Sequence, residues 1–156
     1  MMTSLHTKNA RRFLAIAGLL GMTLAGLAQA GDKVGILQFE EKNAPGLGNR
    51  VRDTLAKSFR AAGFDVIDAA TVDGAARGIP GAPQLGPDGA KKLGQQTGAK
   101  WVITGRVVGG PVTFVVAKVL STSSDRVTGD ARQVRDPSDM ESALQTLGEK
   151  LVSSMR

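Results

Sequence analysis

Carboxylates, lysines and backbone groups are the only chemistry this chain offers beyond its first 30 residues. Its one histidine is His6, and it has neither cysteine nor tyrosine. A Ser-His-Asp or Cys-His nucleophile therefore cannot be assembled downstream of position 30. Zinc sites, which draw on Cys and His, lack their ligands, and the lysine-assisted Ser-x-x-Lys spacing is absent. What remains is Glu40-Glu41 and Asp68, each following an apolar run. If those runs are parallel strands, the three acids share one sheet edge, where α/β proteins tend to bind ligands. Such oxygens suit a hard cation such as calcium, or general acid–base work. No calcium-loop spacing accompanies them, and acids at strand ends are more often simply hydrated. The expectation is a chain with no catalytic, metal-binding or cofactor-binding residues.

Two other patterns have a functional and a plainer meaning. Gly46-Leu-Gly48 lies between a strand pattern and a helix pattern, where nucleotide-binding glycines sit, but Val51 stands where the fingerprint needs a third small residue. No Gly-Lys-Ser/Thr follows, so the nucleotide reading fails. Arg50, Lys57 and Arg60, with Asp53 among them, could dock an anionic surface. The same spacing is commonly the hydrated face of a helix with local ion pairs. The sole tryptophan, Trp101, reads as a cap on the core more readily than as an interface anchor.

The positions before Gly31 speak to compartment. Lys8, Arg11 and Arg12 precede an uncharged run from Phe13 to Leu27, and Ala28-Gln29-Ala30 follows. A basic segment, an apolar segment and an A-x-A site make a secretory signal, with Ala28, Ala30 and Gly31 at the expected cut. The apolar run is shorter than the ~20 residues a membrane span requires. Arg11-Arg12 does not fit the usual twin-arginine spacing, so the general export route is expected. With no cysteine there is no site for an amino-terminal lipid. The expectation is export to the bacterial periplasm. The chain carries 20 basic and 14 acidic residues, three of the basic ones within the first 30 positions. The excess of three left on the remainder favours solubility, not nucleic-acid binding.

The elements that must position these residues are legible as an alternation of patterns. Val34–Phe39 is apolar on both sides, as a doubly covered central strand should be. Leu47, Val51, Leu55 and Phe59 recur every fourth residue and define an amphipathic helix ending at Gly63. Residues 64–67 form a short second strand. Positions 69–86 are dominated by Ala, Gly and Pro and read mostly as a loop, flexible around 74–86. This loop is a candidate partner-facing element. A weaker helix runs from Pro87 to Thr97. Strong strands over 101–108 and 112–121, and a third over 126–134, make an antiparallel meander. In the last of these, Arg126, Thr128, Asp130 and Arg132 alternate with Val127, Gly129 and Ala131. That pattern predicts an exposed edge with its polar residues outward and its small ones inward. Ser138 and Glu141 fit a capping box for the final helix. The expected fold is a single α/β domain over 31–156 in the order β-α-β-α-β-β-β-α, with about five strands in a mixed sheet and three helices.

Taken together, "KVGILQFEE", "LGNRVRDTLAKSFRAAGFDVID" and "AKKLGQQTGAKWVITGRV" followed by a hairpin resemble the CsgG family of curli secretion. The layout is also similar to the amino-terminal domain of TolB and to the outer-membrane activators of penicillin-binding proteins. Phe39 ends the first strand, Gly63–Asp68 supplies the second, and Gly98–Gly105 the third. The resemblance spans about residues 32–155. It implies an envelope-associated α/β module without a catalytic centre that binds protein partners. Three departures narrow the transfer. The cysteine of the lipid-anchored members is missing, no propeller follows, and no additional amphipathic hairpins are available for a pore. Expected partners are an envelope protein, reached through Arg126, Thr128, Asp130 and Arg132 on the edge strand or through the Gly/Pro loop. A further copy of the chain and the periphery of the outer membrane are further candidates. The competing classes are a carboxylate-based envelope hydrolase and an anion- or polysaccharide-binding protein using the basic helix.

Overall fold

A computed structural model of the chain describes residues 31–156. The elements are β1 (Lys33–Ile36), β2 (Glu40–Lys42), α1 (Leu47–Ala61), β3 (Asp65–Val66), α2 (Ala69–Ala76), α3 (Pro87–Thr97), β4 (Trp101–Val108), β5 (Thr113–Ser121), β6 (Val127–Val134), a short 3-10 turn (Pro137–Asp139) and α4 (Met140–Ser154). The strands form one mixed sheet in the order β3-β1-β4-β5-β6, and β2 extends the line of β1 along β4. Its first half is parallel, through β1–β3, β1–β4 and β2–β4. Its second half is the expected antiparallel meander β4-β5-β6. The α/β class and the mixed sheet are as the sequence predicts.

Four details differ, each for a physical reason. The first strand does not run unbroken to Phe39. Leu37 donates its amide to the Ile103 carbonyl at 2.9 Å, and the chain then leaves regular pairing until Glu40. The break returns Phe39 to the side of Val34 and Ile36, although strict alternation would put it opposite. Gly105 makes room for it: a Cβ there would lie 2.4 Å from the Phe39 ring and 2.2 Å from the Val116 carbonyl oxygen. The segment read as loop from position 69 begins instead with α2, because Asp68 caps it by accepting the Thr71 amide at 3.0 Å. Positions 74–76 of the expected loop belong to that helix. The remainder is pinned to β4, with Ile79 and Leu85 in the core and Gln84 Nε2 donating to the Gly105 carbonyl at 3.0 Å. Finally, Ser138 and Glu141 form no capping box. Ser138 sits inside the 3-10 turn, where its amide donates to Asp136 at 2.9 Å.

Two hydrophobic layers sandwich the sheet. On one face Val34, Ile36, Ile103, Val107, Val115, Ala117 and Val119 meet the apolar stripes of α1 and α4, including Leu55, Phe59, Leu144, Leu147 and Leu151. On the other, Leu37, Val102 and Leu120 meet Val72 of α2, Ala90 and Leu93 of α3, and the Ile79 and Leu85 side chains. Trp101 is 7 % exposed and belongs to the first layer, as a core cap should.

Candidate partner-binding site

The carboxylates do not assemble into a site. Glu41 turns back onto the start of α1, where its two oxygens accept the amides of Gly46 and Gly48, each at 2.8 Å. Amides at a helix start are natural anion ligands, so a carboxylate of this chain occupies the place that a phosphate would take. This explains the glycines. Gly46 adopts φ 78°, and a Cβ on Gly48 would sit 2.7 Å from the Glu41 oxygen. Asp68 is spent on capping α2, and Glu40 lies exposed on β2. Among the described residues no three His, Cys, Asp or Glu side chains are grouped to hold a metal ion.

The basic residues of α1 divide as well. Arg50 reaches Glu141 of α4 at 3.9 Å with both side chains about half exposed, a surface pair of small energetic value. Lys57 and Arg60 border an open cleft of about 240 Å³ beside Ile36 and Ile67. Arg52 contributes to the same cleft but is already committed. It is 7 % exposed, and its guanidinium donates to Asp73 at 2.8 Å, to the Ala69 carbonyl at 3.2 Å and to Gln38 at 3.5 Å. The sequence alone groups Arg52 with the hydrated residues of α1. Its position four residues beyond the buried Gly48 is the available signal, since i and i+4 share a face.

The edge strand β6 is where the sheet ends. It pairs with β5 along its whole length, from Val127↔Leu120 to Val134↔Thr113, and its other side carries unpaired backbone groups of the kind that accept an added strand. The side chains point opposite to expectation. Thr128, Asp130 and Arg132 are half-buried on the α4 side, whereas Val127, Gly129 and Ala131 face outward. Arg132 lies 3.0 Å from Asp130, and Lys150 of α4 lies 3.8 Å from the same carboxylate. Arg126 sits over the Trp101 ring at 5.9 Å and donates to the Ser154 carbonyl, a favourable place for a cation at a helix carboxyl end. The cause is the width of the cover: the apolar stripe of α4 gives out at its β6 side, and charged groups there pair while their stems stay dry. The four residues expected to meet a partner thus belong to the α4 side of the sheet, and the backbone of β6 is what faces outward.

The outward face of β4, β5 and β6 has no counterpart in the sequence reading. Phe114 and Val127 are 45 % and 46 % exposed on it. Adjoining them in register are Arg106, Val116 and Ala131 in one row and Lys118 and Gly129 in the next. Strand β5 is apolar on both sides in sequence, which reads as double coverage. The Phe114-x-Val116-x-Lys118 alternation is the signal that one side is open.

Of Ala28, Ala30 and Gly31 at the expected cut, the first two lie outside the described residues. Gly31 packs so closely that a Cβ would approach the Gly63 carbonyl oxygen to 2.2 Å. Among the described residues no helix is long and apolar enough to cross a membrane.

No protein-family model matches the chain, and no curated protein sequence does. Solved structures do. The lipoprotein GNA1162 from Neisseria meningitidis is similar at 15 % identity, covering 80 % of this chain and 99 % of that one, with a TM-score of 0.57. The carboxy-terminal domain of LpoB from Salmonella enterica is similar at 14 % identity, covering 69 % and 84 %, with a TM-score of 0.55. A dodecamer of a PelC variant from Paraburkholderia phytofirmans is similar at 22 % identity, covering 80 % and 87 %, with a TM-score of 0.51. At such identities the likeness is one of fold, and the chain shares the α/β fold of these three bacterial proteins.

Proposed function

We propose that this chain is an exported, non-enzymatic protein-binding module of the bacterial cell envelope that assists the assembly or regulation of an outer-membrane or cell-wall complex. The observation that carries the reading is β6, an eight-residue strand at the end of the sheet with its outer backbone unpaired. Such an edge adds a partner's strand through main-chain hydrogen bonds. The fold shared with LpoB and the lipoprotein GNA1162 supports the setting. The leader pattern with its cut after Ala30 supplies the route to the periplasm. Capping of two helices by Glu41 and Asp68 removes the carboxylate cluster on which a hydrolase reading depended.

The test is proline substitution on the edge. Along a strand, successive amides point to opposite sides, so either Thr128→Pro or Gly129→Pro removes an outward N–H without touching the β5 ladder. Whichever variant keeps the wild-type melting temperature is the informative one. Loss of an envelope protein from the material retained with a tagged copy is expected. Undiminished recovery with an intact fold would remove the edge from the account. A purified chain that hydrolysed cell-wall or phosphoester substrates, and lost this activity in Glu40→Gln, would overturn the module reading altogether.

A further inference from the structure

The two faces of the sheet are not equally covered. The α1 and α4 layer spans one face from β1 to β6. On the other face α2, α3 and the 77–86 connection lie over β1, β4 and the Leu120 end of β5. Beyond them is a bare shelf whose floor is Phe114, Val116, Val127, Gly129 and Ala131. Phe114 at one end of the shelf and Val127 at the other keep nearly half their surface in water, with the half-buried Val116 and the small Gly129 and Ala131 between them.

We propose that this shelf seats an acidic amphipathic helix of a partner protein. Charge names the sign of the occupant. Arg106 and Lys118 are the charged residues that β4, β5 and β6 direct to this face, and β2 adds Glu40, in register with Arg106, and Lys42. All four are exposed and none forms an ion pair among the described residues, so the face keeps three cations against one anion. A second copy laid face to face would set these cations against each other. Shape names the kind of occupant. Helix α3 stands on the sheet beside the shelf, and a helix packed on a sheet rises by roughly 10 Å. A flat lipid surface would be held off the floor by that step, whereas a rod of the same thickness fits beside α3. The small Gly129 and Ala131 let the rod's backbone come close to β6. The inference rests on the reading of the chain as a partner-binding module and departs from it in using the sheet face, not the β6 edge.

Site-specific photocrosslinking of the full chain in its native cells tests it. p-Benzoylphenylalanine replaces Phe114 or Ala131 on the shelf, and Arg60 or Glu149 on the other side of the molecule. The crosslinked peptides are then sequenced. Expected are adducts from both shelf positions to one protein segment with net negative charge and an apolar stripe of helical period. The Arg106→Glu/Lys118→Glu double variant, melting as the wild type does, should lower that yield at least about tenfold, as opposed charges in a contact do when made repulsive. Adducts to lipid, to a second copy of this chain, or to a basic or strand-patterned segment overturn the proposal, as does a yield unmoved by the charge reversal. Protein adducts from Arg60 or Glu149 alone overturn the shelf and leave the module reading standing. An absence of protein adducts at all four positions overturns both.

Discussion

Arg52 carries a charge into the seam between α1 and α2 and spends it there. Its side chain is 8 % exposed and that of Asp73 35 %, so the arginine has lost nearly all its water while its partner keeps part of its own. Removing the less buried member leaves an orphaned guanidinium, and removing the more buried one leaves a carboxylate that can rehydrate. Loss of the arginine also releases the Ala69 carbonyl at the start of α2. Arg52→Ala should therefore cost about 2–4 kcal/mol, toward the lower end of what breaking a buried pair costs. Arg52→Met, which refills the volume, should recover part of it. Denaturant unfolding of the two variants checks this, and equal losses would mean that packing does not enter. Asp136 is a milder case on the surface. Hydrogen bonding from Ser138, first its backbone amide and then its side chain, holds the Asp136 carboxyl below its ordinary value of 3.8. A depressed carboxylate stabilises the fold above its unfolded value and ceases to do so as pH falls through the lower, folded one. The melting difference between wild type and Asp136→Asn should be constant at neutral pH and shrink as the medium is acidified below 3.8. A difference that persists in strong acid would assign the effect to something other than the charge.

At the level of elements, β6 joins a polar inner side to a nearly featureless outer one. Its inner side is tied to α4 through Arg126 and Asp130, which holds the edge straight. That rigidity lowers the ordering cost of adding a strand, and it predicts that Lys150→Glu, which places a like charge near Asp130, loosens β6. Hydrogen exchange at β6 amides should quicken in that variant while those of β4 hold their protection. Uniform acceleration would show the strand to be no more than part of the global unit. The same strand marks the limit of what composition conveys. Helix α3 is legible because Pro87 starts it and Gly98, at φ 75°, ends it. Helix α1 is legible because four large apolar residues share its face. The side that β6 turns inward is not, since alternation gives a period but not a direction, and polar residues are ordinarily assigned to water. Likewise α2, built of small residues, has almost no apolar stripe to announce it, and its cap Asp68 reads equally well as a ligand. Glu41 stands out in the sequence, but only the fold reveals that it answers to Gly46 and Gly48.

Across the whole molecule the mixed sheet has a kinetic meaning. The β4-β5-β6 meander closes over turns of a few residues, whereas β1 reaches β4 only across a long stretch of intervening chain, Val34 pairing with Trp101. Loop closure of that length must be met before its contacts reward it. The meander with α4 packed on Val115, Ala117 and Val119 is therefore the expected nucleus, and the parallel strands with α1–α3 dock onto it afterwards. Val119→Ala should slow refolding, whereas Val34→Ala should chiefly speed unfolding. The reverse partition would place the nucleus in the amino-terminal half. In a chain that leaves the ribosome amino terminus first, this order carries a further consequence. The segments that emerge earliest are the ones that fold last, so β1, β3 and α1 must wait, apolar and unpaired, until the final 56 residues arrive to template them.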